Sequence, residues 1–252
     1  MNPASRILNI TTAISKRKAN ENETAMKWWA DVLAQPADKG EQLKETEISR
    51  RLVAIIDQVD QLSILLRERG VPEVLYHNAH LKIKNGLSPA KMSQRWIEIK
   101  PHFGPEIITA LRWAEWAVGS LEDTISNEDR QDIQAKITEL EALLGDDSLP
   151  AALRQILRRQ VTELRSALED YVIYGIGPLE KAIKTITADI VSEQEALTSS
   201  ANENPEETRK ALDKLKSAMA TTVTVIDKVA KTAGNIGKLW VISKEVLDKI
   251  PF

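Results

Sequence analysis

"PEETRKALDKLKSAMATTVTVIDKVAKTAGNIGKLWVISKEVLDKI" occupies residues 205–250, and its reading decides the C-terminal architecture. Leu212, Leu215, Met219, Thr222, Ile226, Val229, Ala233, Ile236, Trp240, Ser243, Leu247 and Ile250 follow one another in alternating steps of three and four. That is the period of an α-helix with one apolar seam, and it is coiled-coil-like. The start is well marked: Asn204 stands at the cap, Pro205 follows, and Glu206 and Glu207 lie where the helix dipole favours acids. Read without interruption to Lys249, the helix is ~65 Å long at 1.5 Å per residue. Gly234 and Gly237 lie off the seam and weaken it by about 1 kcal/mol each relative to alanine, so "TAGNIGK" is the place for a bend or break.

The same segment is electrically distinct. Residues 208–252 carry nine Lys/Arg and four Asp/Glu in a chain whose net charge is −3. The lysines at 210, 214, 216, 228, 231, 238, 244 and 249 avoid the apolar stripe. A basic amphipathic helix of this kind packs on its own acidic domain, binds a protein groove, or lies on an anionic membrane. A rod of that length outruns a compact domain, so its greasy edge needs a cover. Self-association is the simplest cover, with Leu212, Leu215, Met219, Ile226, Val229, Ile236, Trp240 and Leu247 as the expected contact residues. A membrane-active effector using the same helix is the alternative.

Working back from there, the remaining chain also reads as helix. At 252 residues, 42% hydrophobic and 28% charged, it has material for a sizeable core. "YVIYGIGPLE" at 171–180 holds two glycines and a proline within four residues, with no charge from Tyr171 to Leu179. Turn chemistry accounts for it: a glycine stops one helix in the left-handed conformation and Pro178 starts the next. The preceding helix is marked by Leu153, Ile156, Leu157, Val161, Leu164, Leu168 and Tyr171, the following one by Leu179, Ile183, Ile186, Ile190 and Leu197. "TSSANENPEE" at 198–207 reads as a polar linker. Residues 127–144 form a further helix with Ile133, Ile137, Leu140 and Leu144 inward, an expected antiparallel neighbour of the helix after Pro150.

Nearer the N-terminus, Ile7, Leu8, Ile10 and Ile14 give a short amphipathic helix, and Thr24 is placed to cap "AMKWWADVLAQP". Ile48, Leu52, Ile55, Val59, Leu62 and Leu66 mark a helix from about Glu41 to Arg69, stopped by Gly70 and Pro72. Residues 73–87 favour a short helix over a hairpin turning at Asn85-Gly86. "SPAKMSQRWIEIKP" predicts one helix capped by Ser88. Pro105 starts another, with Ile107, Leu111, Ala114, Val118 and Leu121 on a stripe that Ile108, Trp113 and Trp116 widen, so burial on most sides is expected. The fold class is therefore all-α: short helices over 1–122, an antiparallel bundle over 123–203, and the long C-terminal helix over 204–252.

Little chemistry stands out. Without cysteine, disulfides, thiolate zinc sites and thiol catalysis are excluded. No Walker loop, dinucleotide fingerprint or nucleophile elbow occurs. Glu73, His77 and His80 share helical spacing and could face one metal ion, but no fourth ligand is evident. Arg95 and His102 are separated by six intervening residues in "RWIEIKPH". This resembles the Arg-x(4–6)-His motif of HEPN-type ribonucleases, an all-helical family. The resemblance implies that Arg95 and His102 bind and activate RNA for metal-independent cleavage. It covers eight residues, with Trp96 where the family more often has a small polar residue and Pro101 just before the histidine. The expectation is instead a non-enzymatic interaction or assembly module without a cofactor. Its partner is a second copy or another protein. Nucleic acid is not expected, because no global basic field attracts it. With no signal-peptide pattern and no span of ~20 apolar residues, a cytoplasmic protein is expected.

Overall fold

The computed structural model describes residues 1–16, 23–34, 43–145, 147–230 and 236–251. The fold is all-α, and the described residues hold two isolated β-bridges but no β-strand. The chain divides into two compact units. One comprises Met1–Leu121 with Val172–Gly175, the other Glu122–Tyr171 with Ile176–Phe252.

The first unit contains α1 (Pro3–Lys16), α2 (Ala25–Leu33), α3 (Glu45–Glu68), α4 (His77–Gly86), α5 (Trp96–Ile99) and α6 (Pro105–Val118). α3 packs against α1, α2, α4 and α6. The expected stripe on α3, from Ile48 to Leu66, is buried throughout. Trp28 and Trp96 stack with centroids 4.5 Å apart, and Trp29 meets Trp96 and Phe103 edge-on. Large aromatic rings in offset or edge contact add to what their area alone contributes. Thr24 stands at the N-cap of α2, but its side chain makes no cap hydrogen bond.

Residues 73–87 are helical, as a 3-10 turn at Glu73–Leu75 followed by α4. Gly86 lies inside α4, where a side chain would collide with the Phe103 ring, so this glycine permits close packing and does not turn a hairpin. Two expectations fail in this unit. "SPAKMSQRWIEIKP" is not one helix but a 3-10 turn at Pro89–Lys91, an irregular stretch, and α5. The carbonyls of Met92 and Gln94 accept the amides of Met26 and Ala25, and Trp96 donates to the Glu23 carbonyl, so the backbone is held outward and cannot coil. The second failure is α6. Ile107, Leu111, Ala114 and Val118 are buried, but Trp116 is 79% exposed and Trp113 36% exposed. α6 buries one stripe only.

The second unit contains α7 (Asn127–Leu144), most of α8 (Ala151–Tyr174), α9 (Gly177–Ser192), α10 (Gln194–Glu203), α11 (Pro205–Val229) and α12 (Ile236–Asp248). Ser126 caps α7 by accepting the Asp129 amide at 3.0 Å. On α7, Leu143 and not Leu144 completes the buried stripe. Arg165 of α8 pairs with Glu141 of α7. α8 and α9 form an antiparallel pair, joined by Arg159–Glu193 at 2.7 Å and Gln160–Asp189 at 3.1 Å. The corner between them is "YVIYGIGPLE". Gly175 takes φ +74°, Gly177 opens α9, and Tyr171, Ile173, Ile176 and Leu179 are buried. Burial accounts for the missing charge. The expected polar linker after α9 is instead helix α10; Ser200 and Ala201 are buried there, and the Ser200 carbonyl receives the Thr208 hydroxyl.

The C-terminal segment is not a single rod. α11 ends at Val229, and Ala230 is extended (φ −72°, ψ 119°) and bridged to Glu122. α12 returns along α11. Lys216 lies thirteen residues before the end of α11 and Asp248 twelve after the start of α12, and the two pair at 2.9 Å. Nearly equal distance from the connection is the mark of an antiparallel helical hairpin. Gly237 lies inside α12, and Gly234 lies outside the described residues. α11 also packs on α7, α9 and α10. At one end Lys228 meets Asp129 at 3.0 Å, and at the other Asn204 donates to the Ser148 carbonyl at 2.9 Å.

Candidate functional site

The seam residues expected to contact a partner lie in the interior of their own unit. Leu212, Leu215, Met219, Ile226, Val229, Ile236 and Leu247 are buried, and Trp240 is half-buried. The reasoning from an uncovered rod therefore fails at its premise: the break after Val229 lets the chain cover its own seam. Fully burying each such side chain stabilises the fold by roughly 1.5–3 kcal/mol.

α12 does not bury all of its apolar surface. Its inward stripe is Ile236, Ser243, Leu247 and, just beyond the helix, Ile250. Leu239, Trp240 and Val246 are half-buried, while Val241 is 53% exposed and Ile242 45% exposed. Leu239, Ile242 and Val246 fall at i, i+3 and i+7, one continuous flank of the helix. Lys238, Lys244 and Lys249 are exposed around it. The signal was present in "KLWVISKEVL", which is apolar on more sides than one packed stripe requires. The seam reading passed over it.

The histidines do not converge. Exposed His77 meets Glu73 at 3.2 Å. His80 is buried beside Tyr76, with Nδ1 2.7 Å from Ser63 Oγ. Burial, then the charge of Lys84, lowers its pKa to about 4, with Asp60 pulling weakly the other way. His80 is thus a neutral, hydrogen-bonded core residue. Among the described residues no cluster of three or more His, Asp or Glu side chains is placed to hold a metal ion.

Arg95 and His102 each have neighbours of their own. Arg95 stands at the N-cap of α5 without a side-chain cap bond and pairs with Glu98 at 3.0 Å. His102 lies in the 3-10 turn Lys100–Phe103, where burial, then Lys91, lowers its pKa although it bonds the backbone of Lys82. A depression of about 540 Å³ is lined by Gln194, Glu195, Thr198, Ser199 and Asn202, all from α10. Among the described residues no helix is long and apolar enough to cross a membrane. Comparison of the chain with protein-family models, curated proteins and solved structures finds no match.

Proposed function

We propose that the chain is a non-enzymatic helical assembly module that associates with a protein, in the first instance a second copy of itself, through its C-terminal helical hairpin. The observation that supports this reading is the outer flank of α12, where Leu239, Ile242 and Val246 remain partly open to solvent. Apolar side chains aligned on one flank gain free energy when a partner removes them from water. Sedimentation velocity of the full chain over a range of concentrations tests the reading. Self-association that Ile242→Glu weakens supports it, and a chain monomeric at every concentration overturns it.

A second reading is contact with an anionic membrane. Half-exposed Trp240 and exposed Lys244 are one turn apart on α12, a pairing suited to a headgroup boundary. Flotation with vesicles containing anionic phospholipid, against neutral vesicles, tests it. Binding that requires the anionic lipid supports this reading, and no binding to either removes it.

A further inference from the structure

Resting on the self-association proposed above, we infer that the second copy binds by a two-fold pairing of α12 with α12, antiparallel and centred on Ile242.

The first ground is the apolar flank itself. Leu239 stands three residues before Ile242 and Val246 four after it. In an antiparallel pair about a two-fold axis, positions before the axis face positions about as far after it, and every contact occurs twice. With the axis at Ile242, the two Ile242 side chains meet, and Leu239 of each copy meets Val246 of the other. One pairing therefore covers the whole flank that α12 leaves open.

α9 widens that flank. Glu122 accepts the Ile176 amide at the start of α9 and is bridged to Ala230 just after α11, so the start of α9 and the end of α11 lie together. α9 also packs on α11 and so runs antiparallel to it, which makes α9 parallel to α12. The two are in register where Ser243 meets Thr187. One turn further along each, Val191, 46% exposed, comes level with Val246. The surface is thus two helices wide where it receives Leu239 of the second copy.

The second ground is charge. Lys238 and Glu245 are seven residues apart, on one side of the flank, and both are exposed. Among the described residues neither has an ionic partner in its own chain. Lys238 lies four residues before Ile242 and Glu245 three after it, so the two-fold sets Lys238 of each copy beside Glu245 of the other. A parallel pairing would instead set lysine on lysine and glutamate on glutamate. Opposite charges across a contact fix its register and reject the wrong arrangement. Lys244 stays out of this contact, on the side of α12 that carries Asp248, and Lys249 falls level with the start of the second copy's α12. The flank is therefore complementary to itself, in shape and in sign, in the antiparallel sense.

A charge-swap cycle tests this. Sedimentation velocity over a range of concentrations compares wild type, Lys238→Glu, Glu245→Lys and the double variant, each checked for helical content by circular dichroism. Each single reversal turns two attractive contacts into two repulsive ones and should weaken dimerisation roughly tenfold, while the double variant returns to within about threefold of wild type. Singles that leave the dimer unchanged, or a double variant no better than the singles, overturn the pairing and leave self-association standing. A wild-type chain that is monomeric at every concentration overturns both. A second measurement reads the axis directly. The protein has no cysteine of its own, so Ile242→Cys carries one. Mild oxidation should link two Ile242→Cys chains, whereas Val241→Cys, 53% exposed but turned off the flank, should stay unlinked. An Ile242→Cys chain that dimerises without forming the disulfide overturns the pairing.

Discussion

The hydroxyl of Ser243 on α12 donates to Thr187 Oγ1 on α9 at 2.7 Å, and both residues are buried. Thr187 passes its own proton to the Ile183 carbonyl at 2.8 Å, so the two hydroxyls form a short directional chain into the backbone of α9. Packing alone would be served by an alanine or valine at either place. A buried hydrogen bond contributes about 1 kcal/mol net, and a widowed partner costs more than a pair removed together. Ser243→Ala should lower stability by about 1 kcal/mol and Thr187→Val by a similar amount, with the double variant losing less than the sum. Urea unfolding of the four proteins in the cycle measures the coupling. Strict additivity would mean that the two hydroxyls do not act on each other.

His80 makes the stability of the first unit depend on pH. Its pKa falls from 6.5 to about 4 on folding, so between those values the unfolded chain binds the proton and the folded chain does not. This contribution is complete above about pH 6.5 and is lost as the pH falls towards about 4, with at most about 3 kcal/mol involved. The urea midpoint of the wild type should fall over that window. His80→Gln, which cannot titrate, should flatten that part of the profile at some cost in stability at neutral pH. A variant whose profile parallels that of the wild type would put the titrating group elsewhere.

Gly86 carries a steric prediction. A Cβ there would lie 2.6 Å from Phe103 Cζ and 2.7 Å from His102 Cβ. Phe103 is itself buried and packed against both Trp29 and Trp96, so it has little freedom to yield. Gly86→Ala should therefore destabilise by about 1–3 kcal/mol, the usual cost of overpacking, although alanine is the better helix former. A thermal midpoint equal to or above that of the wild type would show that the cluster can relax.

The sequence disclosed most where a helix is held by its own periodicity. Ile48 to Leu66 on α3 and Leu153 to Tyr171 on α8 are buried as their spacing requires. It disclosed least where distant backbone decides. The amides of Ala25 and Met26 pull on carbonyls near residue 93, and Asp123 donates to the Val229 carbonyl at 2.9 Å. Neither contact leaves a period or a composition to read. The glycines in "TAGNIGK" marked the region of the C-terminal break, but the return of α12 onto α9 depends on packing that a one-dimensional pattern does not contain. The tryptophans of α6 misled for another reason. Trp113 and Trp116 lie near the buried stripe in sequence, yet the packing of α6 on α1, α3 and α4 leaves both rings exposed, so apolar character was no guide to exposure.

Met219 and Trp116 make that last contrast measurable. Both are large and apolar, but Met219 is fully buried on α11 and Trp116 is 79% exposed on α6. Met219→Ala removes side-chain contacts and leaves a cavity among packed helices, at a cost of about 2–5 kcal/mol. Trp116→Ala removes mostly solvated surface and should change stability by no more than about 0.5 kcal/mol. Urea titration followed by circular dichroism reads both variants with the same probe. If the Trp116 variant instead lost stability on the scale of Met219→Ala, the indole would have to be covered in solution, and the outer face of α6 would be an interface.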